Sequence, residues 1–366
     1  MPLNTVSGSL RLFFFYDVCD EIHLEDLSRT LGVQPGGREP SFRHLAPEYV
    51  RFQRPPLVEP LQPFLLNSGE LVQCRMKYYQ YGVVSVEYEL AFSLAWKDLV
   101  EFSSRWVAEQ EIEKRAAVAV SARLEQLRGA LVKPYERRLS EDYYIIQVNS
   151  ALLADQKTAS ADQLIETCGD QIALLVRGES VALSNDEKTE ILQSRMSYYP
   201  ADLVVVGWAA AFIYDTPEGA APVLQLLEYA NSQLLEFRHY DELLTEVLKH
   251  VYRSLERGTG FLSRWRLARE AGRLNTIRLE VRELTERVDN SIKFLSDMFS
   301  ARLYRLAAAK VGVPDYRKLV DEKLSTAGEL YQFMMDEFYQ GRAFLLELMV
   351  VIILIIEIIF LFRGKG

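Results

Sequence analysis

Cysteine is scarce in this sequence. Cys19, Cys74 and Cys168 stand far apart and no CxxC pair occurs, which argues against a disulfide framework or a zinc knuckle and for a reducing compartment. Histidine is nearly as scarce, at four residues. The phosphate-cradling GxxxxGK motif, GxGxxG and the nucleophile elbow GxSxG are all missing, so the common nucleotide-binding and hydrolase classes have no footing here. Basic side chains are missing from the N-terminus. Between Met1 and Ser28 only Arg11 is basic, against Asp17, Asp20, Glu21, Glu25 and Asp26, so neither a presequence nor a secretory signal is expected in this stretch. The net charge of −9 excludes a globally basic nucleic-acid coat.

What is present is enough for a real core. Of 366 residues 49% are hydrophobic and 25% charged, a length and composition for about two globular domains. The charge is uneven. Residues 257–318 hold fourteen Lys or Arg against seven Asp or Glu, so this stretch carries +7 and the rest of the chain −16. A basic arm stands beside an acidic body.

Residues 10–18 (LRLFFFYDV) form a continuous apolar run, expected as a strand buried on both faces. A short helix is expected at 23–31, stopped by Gly32, and an irregular Pro- and Gly-rich connection at 33–63. Two strands follow at 71–79 and 81–92. In the second, Val84, Val86, Tyr88 and Leu90 share one face and Ser85, Glu87 and Glu89 the other, the pattern of a strand with one wet side. A long helix at 96–128 and a strand at 143–148 complete the order β-α-β-β-α-β, that of a split βαβ or ferredoxin-like layer. Helices are expected at 161–175 and 185–196, and 202–214 reads as a buried strand or a buried helix. From 218 onward the period is helical. Leu267, Leu274, Ile277, Val281, Leu284, Val288, Ile292 and Leu295 form a coiled-coil seam within a stalk of long antiparallel helices.

The last long apolar run, from Phe344 to Phe362, has seventeen apolar residues in nineteen. As a helix it rises about 28 Å, close to a bilayer's hydrocarbon thickness, and reads as a single-pass C-terminal tail anchor. Glu347 and Glu357 interrupt it. They sit about 80° apart on a helical wheel, so a helix–helix contact in a homo-oligomer would shelter both. A soluble helix buried on all sides is the alternative.

Residues suited to chemistry are few. Glu236 and His239 have the ExxH spacing of carboxylate-bridged metal bundles and Glu246 and His250 lie one turn apart, but such sites need a second ExxH on a facing helix. His23 and His44 lack the spacing, and the cysteines lack neighbours that would activate a thiolate. Arg257-Gly-Thr-Gly260 reads as a helix breaker, with a phosphate loop as the alternative. No catalytic, cofactor or metal residue is expected. Arg264, Arg266, Arg269, Arg273 and Arg278 form the candidate site, with Phe261 and Trp265 interleaved. Arg266, Arg269 and Arg273 fall within about 60° on a helix. Such a patch suits RNA or ribosome phosphates, anionic lipid headgroups, or the chain's own acidic body.

Three runs carry a resemblance: SYYPADLVVVGWAAAFIYDT (197–216), LLEYANSQLLEFRHYDELL (226–244) and RLNTIRLEVRELTERVDNSIKFLSD (273–297). Together with Leu346-Glu347 through Glu357-Ile358, they resemble the "required for meiotic nuclear division" or YagE-like domain-of-unknown-function family, in a bacterial branch. The resemblance spans roughly Cys74 onward and implies a membrane-bound homo-oligomer with no established catalytic residue.

The sequence therefore predicts an α+β chain: a ferredoxin-like head over 1–156, a mixed extension over 157–217, a helical stalk over 218–343 and a transmembrane helix over 344–362. The expected function is a non-catalytic, tail-anchored oligomeric scaffold at the cytoplasmic face of a bacterial inner membrane. The alternative is a membrane tether for RNA or ribosomes through the basic helix 257–278.

Overall fold

The apolar run near the N-terminus becomes β1 (Val6–Asp17), the inner strand around which a mixed eight-stranded sheet is built. The computed structural model describes residues 5–33, 56–66, 69–107, 110–149, 159–256, 269–283 and 298–363. After the short β2 (Cys19–Ile22) and α1 (Leu24–Leu31) come β3 (Leu57–Leu65), β4 (Leu71–Tyr78) and β5 (Val83–Leu94). Next are α2 (Trp96–Val107), α3 (Gln110–Gln126), β6 (Leu131–Pro134) and β7 (Ser140–Val148). Then follow α4 (Ala161–Arg177), α5 (Asn185–Gln193), β8 (Arg195–Met196), β9 (Leu203–Val206) and β10 (Ala210–Tyr214). The sheet order is β3-β4-β5-β1-β7-β10-β9-β8, with β10 parallel to β7 and the other pairs antiparallel, while β2 and β6 form a separate ribbon.

Because side chains alternate across a strand, the register sorts the sheet into two unlike faces. On one, Leu10, Leu12 and Phe14 of β1 lie beside Leu90, Tyr88 and Val86 of β5. This face packs into one apolar core with Trp96 and Leu99 of α2, Ala116 and Val120 of α3, and Leu164 and Ile172 of α4. On the other, Phe13 and Phe15 lie between Arg11 and Asp17, and Glu87 and Ser85 stand opposite the two phenylalanines. The first part of α6 (Pro217–Glu256), around Glu228, covers this second face, and α8 (Met298–Val311) joins it through Tyr304, which donates to Gln233.

Gly82 closes the turn between β4 and β5 at φ +93, and a Cβ there would stand 1.8 Å from the Cys19 carbonyl oxygen. Only glycine combines that conformation with that approach. β3 was expected to be irregular because of Pro60 and Pro63. It forms at the sheet edge, where a residue without an N–H loses no ladder bond, and its register shifts between Leu61 and Phe64. The stretch 202–214 is two strands, turned so that Gly207 N–H donates to the Ala210 carbonyl at 2.9 Å.

The chain divides into two compact units, Met1–His239 with Val288–Asp315, and Tyr240–Arg287 with Tyr316–Gly366. The second contains the C-terminal part of α6, a helix α7 at 269–283, and most of α9 (Val313–Arg363). Its core is Leu244, Val247 and Val251 of α6, Leu274 and Val281 of α7, and Val320 and Ala327 of α9. Lys323 of α9 ties α6 by reaching Asp241 Oδ1 at 2.5 Å and Thr245 Oγ1 at 2.6 Å. The expected seam positions Leu267, Leu284, Val288, Ile292 and Leu295, and the break at Gly258 and Gly260, lie outside the described residues.

Two expectations are corrected. The body is not a ferredoxin-like head: the sheet has eight strands, because β3 adds at one edge and the β8–β10 strands extend the other through the parallel β7–β10 pairing. Nor, among the described residues, is any helix long and apolar enough to cross a membrane. That overturns the expected span from Phe344 to Phe362, and with it the tail anchor and the inner-membrane location. The residues are helical, as part of α9. The described side chains of the run, Phe344 to Ile359, are exposed. Glu347 and Glu357 interrupt it.

Candidate functional site

The strand face expected to be wet is buried and charged. Glu87 of β5 and Glu228 of α6 are each 2% exposed. Lys77 of β4 bridges them, its Nζ 2.5 Å from Glu228 Oε2 and 3.1 Å from Glu87 Oε2. Arg11 donates to Glu87 Oε1 at 2.5 Å and to Glu89 Oε1 at 2.6 Å. Arg75 reaches Glu87 Oε2 at 3.0 Å and Glu89 Oε2 at 2.8 Å, while Ser85 Oγ donates to Glu228 Oε1 at 2.7 Å. Three cations thus face three carboxylates. Burial alone would raise the Glu87 carboxyl; Lys77, Arg11 and Arg75 outweigh it and hold the group at about 2. Burial works the other way on Lys77, and Glu228 and Glu87 outweigh it, raising the ammonium above its ordinary range. Both groups are therefore ionised at neutral pH, and the cluster locks α6 onto the sheet instead of exchanging protons. Its sequence signal was Ser85, Glu87 and Glu89 alternating on a strand, opposite Glu228, Ser232 and Glu236 at one-turn spacing.

At the end of β1 a second buried group gathers. Asp17, 1% exposed, lies 2.8 Å through Oδ2 from His239 Nδ1. The imidazole stacks on Tyr135 with ring centroids 4.4 Å apart, and the Tyr135 hydroxyl donates to Asp20 Oδ1 at 2.8 Å. Burial raises the Asp17 carboxyl above its ordinary value, opposed by the hydrogen bond and charge of His239. Cys19 is pushed up to about 12, first by burial and then by Asp17, so its thiol stays protonated and unreactive at neutral pH. His239 thus serves Asp17. Among the described residues no three His, Cys, Asp or Glu side chains converge as a metal set.

Three of the five predicted arginines fall among the described residues. Arg264 and Arg266, with Arg257, Phe261 and Trp265, lie outside the described residues; Arg269, Arg273 and Arg278 are on α7. Arg278 crosses Gly328 of α9, where a Cβ would stand 3.2 Å from its Nη1. With Arg282 it lines a cleft of about 600 Å³ that Asp321 and Glu329 also face. Arg273 lines a different cleft of about 290 Å³ against α6, whose other walls include Leu243, Val247, Lys249, His250 and Arg253. Glu347 and Glu357 are exposed on α9.

A mixed sheet with one apolar face and one ion-paired face under a long helix defines the class of this α/β body. Residues 7–221 match the family model "Uncharacterized protein MJ0711, N-terminal domain", and the chain belongs to that family. The chain is similar to the uncharacterized protein MJ0711 of Methanocaldococcus jannaschii, at 22% identity over 198 residues. That stretch covers 54% of this chain and 61% of the relative, so the chain spans about three fifths of the relative's length. No solved structure matches. The expected resemblance to the "required for meiotic nuclear division" or YagE-like family is corrected by this match. The run at 226–244 that suggested it has a local physical cause: Glu228 and Ser232 must meet Lys77, Ser85 and Tyr81 across the sheet.

Proposed function

We propose that this protein is a non-catalytic oligomeric scaffold, an α/β body whose copies are gathered through the apolar end of α9. One observation carries the reading. From Phe344 to Ile359 every apolar side chain is between 36 and 63% exposed, around the whole helix. Exposed apolar patches of this extent mark interaction surfaces. Half-exposed Leu, Ile, Val, Met and Phe side chains in this number contribute on the order of 10–20 kcal/mol per copy when covered, against an association cost of about 4–15 kcal/mol. An apolar surface on all sides favours a bundle of several copies over a pair, since a two-helix seam covers one narrow stripe. Glu347 and Glu357 share one broad strip, which faces water as the rest pairs. The buried charges of the body support a structural role, because each oxygen of Glu87 and Glu228 already accepts from a partner side chain.

Sedimentation of the full chain and of a chain ending at Ala343, in detergent-free buffer, tests this. The full chain should sediment as several copies and the shortened one as a single copy with an unchanged melting temperature. A full chain that sediments as one copy, an oligomer that survives the shortening, or uptake of the full chain by lipid vesicles in place of self-association overturns the proposal.

A further inference from the structure

We propose that the smaller cleft of the helical unit, between α6 and α7, binds a small ligand through a phosphate group. The cleft holds about 290 Å³, roughly ten water volumes, enough for a phosphate and a short organic body. Its floor is apolar, from Leu243 and Val247, and its rim is cationic, with Lys249 and Arg253 from α6 facing Arg273 from α7. Lys249 and Arg253 are one turn apart, so their charges fall on neighbouring positions of one face. Among the described residues none of the three cations has an ion-pair partner, unlike Arg11, Arg75 and Lys77 in the body. Glu246 also lines the cleft, leaving a formal excess of two positive charges from the three cations and this one acid. That excess matches the charge of about −1.5 to −2 on a phosphate monoester near neutrality. Two guanidinium forks and an ammonium offer the donor set that phosphate oxygens accept.

The same geometry disfavours an extended polyanion. Glu270 stands 3.5 Å from His250 Nε2 and Glu246 lines the same cleft, so the next phosphate of an RNA strand would meet carboxylates. The site therefore assigns a role to Arg273 that the sequence patch alone did not define, and assigns it with partners from another helix.

Calorimetric titration of the full chain with inorganic pyrophosphate, in phosphate-free buffer at low salt, tests the proposal. Saturable binding below about 1 mM is expected, weakening by about tenfold or more in Arg253→Gln and in Arg273→Gln. Glu246→Gln should tighten it by about two- to fivefold, a direction that loss of fold cannot produce. All these side chains are exposed, and unchanged circular dichroism should accompany each variant. No saturation by about 10 mM, equal affinity in the arginine variants, or tighter binding of mixed-sequence RNA lost in the same variants each overturns it.

Discussion

Replacing Glu87 by Gln removes one carboxylate from a cluster of three cations and three anions while keeping the side chain's shape. Lys77, Arg11 and Arg75 would then converge on an amide with a single acceptor oxygen. The Glu87 carboxyl is held at about 2 against an ordinary 4.5, which corresponds to about 3 kcal/mol at about 1.36 kcal/mol per pH unit. At 2% exposure solvent screens little of it. Breaking a buried ion pair by removing one partner costs about 3–5 kcal/mol, the same range. We expect E87Q to lose about 3 kcal/mol at pH 7, or about 6–12 °C in Tm at about 2–4 °C per kcal/mol for a body of this size. The pH dependence has a fixed sign. Folding lowers this pKa, so the contribution is complete above the unfolded value of about 4.5 and is lost as pH falls toward about 2. Urea unfolding followed by tryptophan fluorescence reads it, since Trp96 and Trp106 are buried in the core on the sheet's other face. The parent should lose stability more steeply than E87Q between about pH 4.5 and 2. A midpoint within about 0.5 kcal/mol of the parent at pH 7, or parallel acid limbs, refutes the argument.

Three further outcomes are expected. Gly82→Ala should destabilise by about 3 kcal/mol or prevent folding, since the new Cβ meets the Cys19 carbonyl oxygen at 1.8 Å with φ at +93; a melting curve within a degree of the parent would contradict the turn geometry. Removing both Lys77 and Glu228, as Lys77→Met with Glu228→Leu, should cost less than the sum of the two single changes, because each single change strands a buried charge; a double-mutant cycle in urea measures the difference. Native protein at pH 8 should react with iodoacetamide on the order of 100-fold more slowly than urea-unfolded protein, because burial holds Cys74 and Cys168 at about 11 and burial with Asp17 holds Cys19 at about 12; three equally fast thiols would contradict this.

The strands richest in β-branched and aromatic residues were legible from periodicity. β1, β4, β5 and β7 formed within a few residues of the expected ranges, because an apolar run or a strict alternation has few other solutions. The edges of the sheet were not legible. Pro60 and Pro63 hid β3, and the hairpin at Gly207 turned one apolar stretch into β9 and β10, which only long-range pairing with β7 distinguishes from a helix. The expected helix at 96–128 is two, α2 and α3. The charged cluster was hidden for a different reason. Ser85, Glu87 and Glu89 have the same alternation whether water or α6 covers them, and the covering residue Glu228 is 143 positions from Ser85. Arg273 was legible as a cation, but its cleft depends on Lys249 and Arg253 from a helix read for its period and its Glu–His spacings, not for its cations.

The cover of the second sheet face has a consequence for where this protein can be cut and when it can finish folding. Glu228 and Ser232, which meet Lys77, Ser85 and Tyr81, lie beyond residue 221, where the family match ends. Tyr304, which donates to Gln233, comes later still, on a segment that rejoins the body after the helical unit has begun. A fragment of 7–221 would therefore present the ionic face that also carries Phe13 and Phe15 to water, with nothing to neutralise Lys77 but Glu87. On the ribosome the sheet can pair early, yet its second face waits for α8. The last part of the body to be made is a piece of its cover, and the boundary drawn by similarity is not the boundary of the folding unit.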